Sequence, residues 1–282
     1  MGILLALIPA LGWGVQPLIA RKIGGRPTNQ IFGTGLGALL IGLVVLMGAG
    51  TVTDRDFAIS FLAGLLWSIG QVGQFVAFTK IGVTRTMPVS TGLQVVGTSL
   101  IGVLIFGEWP GTAAKLIGLL AIILVVVGVT LTTVTDQATG GSSLKSGLLI
   151  LVPTTVGYLA YSALPKALPA NGLQLFFPEM LGIFVGALLY NLCTTQGRSL
   201  SEKTSWQNVL IGLIFGVSSL AYIFAAKLSG IATVFVITQL NVVVSTVGAL
   251  VILHEAKTNR ELKATLTGLG LIVIGSVLTA TL

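Results

Sequence analysis

Amide and hydroxyl side chains recur inside the long apolar runs of this chain, where each costs free energy unless it meets a partner or a wet cavity. Residues 57–78 hold Gln71 and Gln74, with Trp67 one helical turn before Gln71. Residues 86–106 hold Thr86, Pro88, Ser90, Thr91 and Gln94, with Arg85 at their edge. Tyr158, Tyr161 and Ser162 follow in a later run, and Thr238, Gln239, Asn241, Ser245 and Thr246 in another. The first run adds Trp13 and Gln16. Amides and hydroxyls both donate and accept, which suits the several hydroxyls of a sugar, and aromatic faces suit the apolar face of its ring. A site for hydrophobic cations would be more apolar, and an anion carrier would need buried Lys or Arg. The plain alternative is that Ser and Thr bond their own helix backbone while the amides hold helices together. That alternative wins for any single hydroxyl. For Gln71, Gln74, Gln94 and Gln239 as a set, a site is the better reading.

Only one carboxylate, Glu179 in FFPEMLG at 176–182, falls inside the apolar runs. Buried beside a transport path, it could load and release a proton. Alternatively Pro178 opens a helix and Glu179 lies in its first turn, facing headgroups. Glu108 and Glu255 stand at the ends of two runs and read as interfacial residues. Pro88 removes a backbone donor, so its helix either breaks beside a cavity or merely kinks.

Other chemistries lack their parts. One cysteine, Cys193, and one histidine, His254, cannot make a zinc or haem ligand set. No G-x-S-x-G or H-E-x-x-H motif is present, so no metal, cofactor or catalytic residue is expected. The glycines at 33, 35 and 37 resemble a dinucleotide turn but lie inside an apolar run without a preceding strand. Gly33 and Gly37 share a helical face and read as helix-packing positions.

These residues need elements to hold them. The 282 residues are 54% hydrophobic and 8% charged, against about 25% charged in soluble domains. Mean hydropathy is +1.01. Apolar stretches of about 18–22 residues recur between short charged clusters, each long enough to cross a bilayer. The expected spans are 2–20, 30–50, 57–78, 86–106, 115–134, 147–165, 173–192, 207–226, 231–253 and 264–281. No basic residue precedes the first, and Arg21, Lys22 and Arg26 follow it, so it reads as a retained span. The net charge of +7 needs no nucleic-acid partner, because basic residues of a multi-span protein gather in cytoplasmic loops. Eleven Lys and Arg residues lie in the odd-numbered loops and four (Arg55, Lys115, Lys166, Lys227) in the even ones. That puts the odd loops in the cytoplasm and both chain ends outside.

The halves repeat. Shifting residues 80–108 by 147 places them on 227–255, and Lys80, Thr86, Thr91 and Glu108 then meet Lys227, Thr233, Thr238 and Glu255. Gln94 meets Asn241. Residues 1–135 and 147–282 therefore read as two five-helix repeats joined by a polar loop at 136–146. Five spans is an odd number, so the second repeat enters from the opposite side, as in many secondary transporters.

The stretches IPALGWG at 8–14, GGRPTNQIFGTGLGALL at 24–40 and RTMPVSTGLQVVGTSL at 85–100 resemble the glucose/ribose porter family of the drug/metabolite transporter superfamily. TTVGYLAYSA at 154–163 and TQLNVVVSTVGAL at 238–250 extend the likeness over nearly the whole chain. The resemblance implies an all-α, ten-span uptake protein of the bacterial cell membrane, carrying a monosaccharide (ribose or glucose) with protons and without ATP. GWG, Pro17 and the GGRPTNQ loop look closer to ribose-type members. Motif positions that the likeness marks for the site are Trp13, Gln71, Gln74, Arg85, Thr86, Ser90, Gln94, Tyr158 and Gln239, beside Asn241 from the reading of the runs. At Glu179 the resemblance implies a Gln, which speaks against a shared proton carrier there. The rival reading is an exporter of amino acids or hydrophobic cations on the same scaffold. The oligomeric state is not legible.

Overall fold

The computed structural model describes residues 2–107, 109, 111–136 and 140–282. Among these, twelve α-helices follow one another: α1 Gly2–Ile23, α2 Pro27–Leu46, α3 Asp54–Ile81, α4 Val83–Leu104, α5 Gly111–Thr132 and α6 Gly140–Ala163. Then come α7 Gly172–Thr195, a short α8 Lys203–Gln207, α9 Val209–Ser229, α10 Ile231–Thr238, α11 Leu240–Ile252 and α12 Asn259–Ala280. Ten stretches are long and apolar enough to cross a membrane, with α8–α9 and α10–α11 each forming one of them. The chain is an all-helical, ten-span membrane protein. Its outer surface shows large apolar side chains such as Leu4, Val44, Leu116, Leu149 and Val156, which face lipid at no cost.

Helix boundaries follow local chemistry. Pro27 opens α2, where its missing N–H is not needed. Asn171 caps α7 and Thr258 caps α12, each in a reciprocal pair with the residue three further on. The single residue Gly82, at φ +74°, turns the chain between α3 and α4. Only glycine adopts that conformation without strain.

The core lies where α1, α3, α4, α6, α7 and α9 meet. It holds Trp67, Phe75, Phe78, Met87, Tyr158, Phe176, Met180 and Phe215. α3 packs on α6 and α7, α1 on α9 and α11, α2 on α7 and α9, and α5 on α12. Contact between α3 and α7 is backbone to backbone. A Cβ on Gly64 would stand 1.9 Å from the Glu179 carbonyl oxygen, and one on Gly182 would stand 2.0 Å from that of Phe61. Small residues on both helices thus bring Glu179 against α3.

Two features depart from the sequence reading, and of the two alternatives at Pro88 the break does not occur. The helix around Pro88 is continuous, because Pro88 sits in its second turn, where one carbonyl loses its partner without unwinding the rest. The break falls instead in the ninth span, between α10 and α11, where Thr238 and Asn241 turn their side chains back onto the carbonyls of Phe235 and Thr238 at 2.8 and 2.6 Å. Lastly, α6 begins at Gly140 rather than at residue 147, running past its apolar stretch into the expected loop. Of that loop, residues 137–139 lie outside the described residues, as does Glu108.

Candidate functional site

A chain of side-chain hydrogen bonds crosses the core from α6 through α3 to α4. The Tyr158 hydroxyl donates to Gln71 Oε1 at 2.9 Å, and Gln71 Nε2 donates to Gln74 Oε1 at 3.3 Å. Gln74 Nε2 donates to Ser90 Oγ at 3.0 Å, and Gln94 Nε2 donates to the same oxygen at 3.1 Å. Gln71 and Gln74 share one face of α3, while Ser90 and Gln94 are one turn apart on α4. Gln71, Gln74, Ser90 and Tyr158 are buried, and Gln94 is half-buried. Five of the ten residues marked in the sequence for the site are therefore brought into one connected unit.

An aromatic cluster stands against this chain. The Trp67 ring lies 5.9 Å from Tyr158, 6.3 Å from Tyr161 and 4.5 Å from Phe215, centre to centre. Tyr161 donates to Glu179 Oε2 at 3.2 Å. α7 starts at Gly172, so Glu179 lies two turns inside the helix, and the alternative of a first-turn, headgroup-facing carboxylate does not hold. Trp13 stacks on Tyr222 of α9 at 5.8 Å, and Tyr222 is close enough to Tyr161 to interact with it electrostatically. Trp13 Nε1 and Gln16 Nε2, one turn apart on α1, are buried donors without a hydrogen-bond partner among the described residues.

Other marked residues lie elsewhere. Thr86 bonds back to the Gly82 carbonyl at 2.6 Å. Gln239 and Asn241 bond to backbone carbonyls one turn earlier, at the break between α10 and α11, and stay out of the amide chain. Arg85 stands in the first turn of α4, near Lys257. Burial, and then the Arg85 guanidinium, hold the Lys257 ammonium below the usual lysine range.

The sequence reading left Trp67, Tyr161 and Gln16 out of the marked set, although all three had been noticed as polar or aromatic residues inside spans. Phe215 and Tyr222 gave no signal, since an aromatic residue in an apolar run looks like any packing residue. The amides satisfy one another, and a cleft of about 60 Å³ beside them, lined by Thr98, Gly102, Phe106, Leu159, Ser162 and Lys166, has room for a few waters at most.

A family model described as "Sugar transport protein" matches residues 4–282. A protein of Lactobacillus helveticus, named provisionally for sugar uptake, is 43% identical over 280 residues, covering 99% of this chain and 100% of the relative. A Staphylococcus epidermidis protein named provisionally for ribose uptake is 38% identical, covering 99% and 98%. Its counterpart in Latilactobacillus sakei is 37% identical, with the same coverage. A solved crystal structure superposes with a TM-score of 0.67 at 16% identity over 100% of this chain and 98% of the other, a likeness of fold alone.

Proposed function

This chain belongs to the sugar transport protein family, and from that membership we propose that it takes up one monosaccharide, ribose or glucose, by proton-coupled alternating access. It is a multi-pass protein of the bacterial plasma membrane and not an enzyme. The observation that carries the proposal is the hydrogen-bonded chain Tyr158–Gln71–Gln74–Ser90–Gln94 set against the Trp67 ring. A sugar offers hydroxyls that exchange one for one with these amide–amide bonds and a weakly apolar face for the indole. The exchange replaces good hydrogen bonds with good ones, so net binding is modest. Modest binding suits a carrier that must also release. The ribose-type likeness at residues 8–17 and 24–30 favours ribose.

Glu179 is the proposed proton carrier. It is a carboxylate two turns inside a core span, and its bond to Tyr161 ties its protonation to the aromatic cluster proposed to meet the sugar. Two inverted repeats, 1–135 and 147–282 about the 136–146 loop, are the proposed frame. The helix pairings support it: exchanging the halves turns α3 on α6 into α9 on α1, and α3 on α7 into α9 on α2, both of which occur. The loop charges favour odd loops in the cytoplasm.

Thermal unfolding of the purified protein with ribose, glucose, xylose, arginine or a lipophilic cation tests the substrate class. A ligand that binds only the native state raises the midpoint with its concentration. A rise with one monosaccharide, lost in Gln71→Ala and Gln94→Ala, is the expected result. A rise with arginine or the cation alone would overturn the sugar reading.

A further inference from the structure

The described residues differ at the matching ends of the two halves. At the start of α4 the Glu255 carboxylate, from the stretch after α11, takes three hydrogen bonds. They come from the Val83 amide at 2.7 Å, the Thr84 amide at 2.9 Å and the Thr84 hydroxyl at 2.7 Å. Contact is tight enough that a Cβ on Gly82 would stand 2.8 Å from Glu255 Oε2. At the corresponding start, that of α10, the matching carboxylate Glu108 lies outside the described residues. No described residue comes within 4 Å of a Cβ placed on Gly230, and Ile231 is 69% exposed.

Burial follows the same gradient. From Val83 to Gly92 every residue of α4 except Arg85 is buried, and from Leu93 onward most are partly or fully exposed. The amide chain is therefore buried on its side toward Glu255, and the small cleft at Thr98 lies on its other side.

We propose that Glu255 is the latch that holds the carrier shut at its cytoplasmic end, by joining the second half of the chain to the N-terminus of α4 across the transport path. The proposal rests on the alternating-access reading above and names a residue that sets the access state. Its chemistry is that of a carboxylate on unsatisfied amides at a helix start, where the helix dipole adds attraction. Glu255 also interacts with Lys257, as Glu261 does, opposing the repulsion between Lys257 and Arg85. Opening this end breaks three bonds in one motion. Removing the charge weakens those three bonds, and that pushes the end open.

The test is cysteine accessibility in the full chain, with Cys193→Ser as background. Single reporters are Met87→Cys, between the latch and Ser90, and Thr98→Cys, at the cleft, each probed with a membrane-impermeant maleimide from either side. Loss of a charge-assisted set of this kind is expected to change the ratio of the two access states about tenfold. Glu255→Gln should raise labelling at position 87 from the cytoplasmic side and lower it at position 98 from the other. Thr84→Val, which removes one bond and no charge, should shift both in the same sense by less. Unchanged labelling in Glu255→Gln overturns the latch, and so does labelling that rises at both positions in both variants, because a loosened fold exposes the two ends together. Ribose and glucose, added to the parent reporters, form a separate arm. Reporters that answer Glu255→Gln but neither sugar leave the latch standing and sink the sugar reading; reporters that answer a sugar but not the variant do the reverse.

Discussion

Gln71 accepts from Tyr158 and donates to Gln74, so it is the side chain that joins α6 to the amides of α3. Gln71→Ala leaves a buried hydroxyl and a buried carbonyl unpaired, a cost of about 1–3 kcal/mol. The purified variant should unfold earlier in detergent and lose sugar uptake. Gln239→Ala is the contrast. Its Nε2 makes one 3.4 Å bond to its own helix, so the variant should lose less than about 1 kcal/mol and keep uptake. Sequence could not separate the two glutamines, because both are amides in the middle of apolar runs and nothing in the residue type says which face turns inward. What it could read was the cost of burying an amide, which singles out Gln71, Gln74, Gln94 and Gln239 as a set, while Ser90 and Tyr158 are marked by the family likeness. For Glu179 the prediction concerns coupling alone. Glu179→Gln keeps the bond from Tyr161 and removes the titratable group, so sugar exchange across vesicles should persist while accumulation driven by a proton gradient disappears.

At the scale of elements, long apolar runs and their Gly, Pro and charged borders put all ten spans within a few residues of their helices. Lengths were legible because the bilayer fixes them. The break between α10 and α11 was not, since it depends on Thr238 and Asn241 choosing backbone carbonyls one turn back, and Pro88 gave the stronger local signal for a break. How helices pair was also hidden; it turns on glycines whose neighbours come from distant sequence. Gly64→Val forces a side chain into the Glu179 carbonyl 1.9 Å away, so α3 and α7 must part. Overpacking of this kind costs about 1–3 kcal/mol or more, and the variant should show a lowered unfolding midpoint and weakened uptake together, because the same contact sets Glu179. Thr258→Ala removes the cap of α12, outside the core contacts named above. It should cost about 1 kcal/mol in thermal unfolding and leave transport intact.

Across the whole molecule, on the proposed reading, the polar chain lies between the end that Glu255 closes and the cleft at Thr98, and a sugar exchanges bonds with the chain between them. The central claim is proton-driven uptake of a monosaccharide through the Gln71–Gln94 chain. Accumulation of labelled ribose and glucose in proteoliposomes with an imposed proton gradient measures this most directly. The account predicts accumulation of one sugar above the outside concentration, collapse on adding a protonophore, and loss in Gln71→Ala and Gln94→Ala. Vesicles that neither accumulate nor exchange any monosaccharide, yet expel a lipophilic cation or arginine, would contradict it.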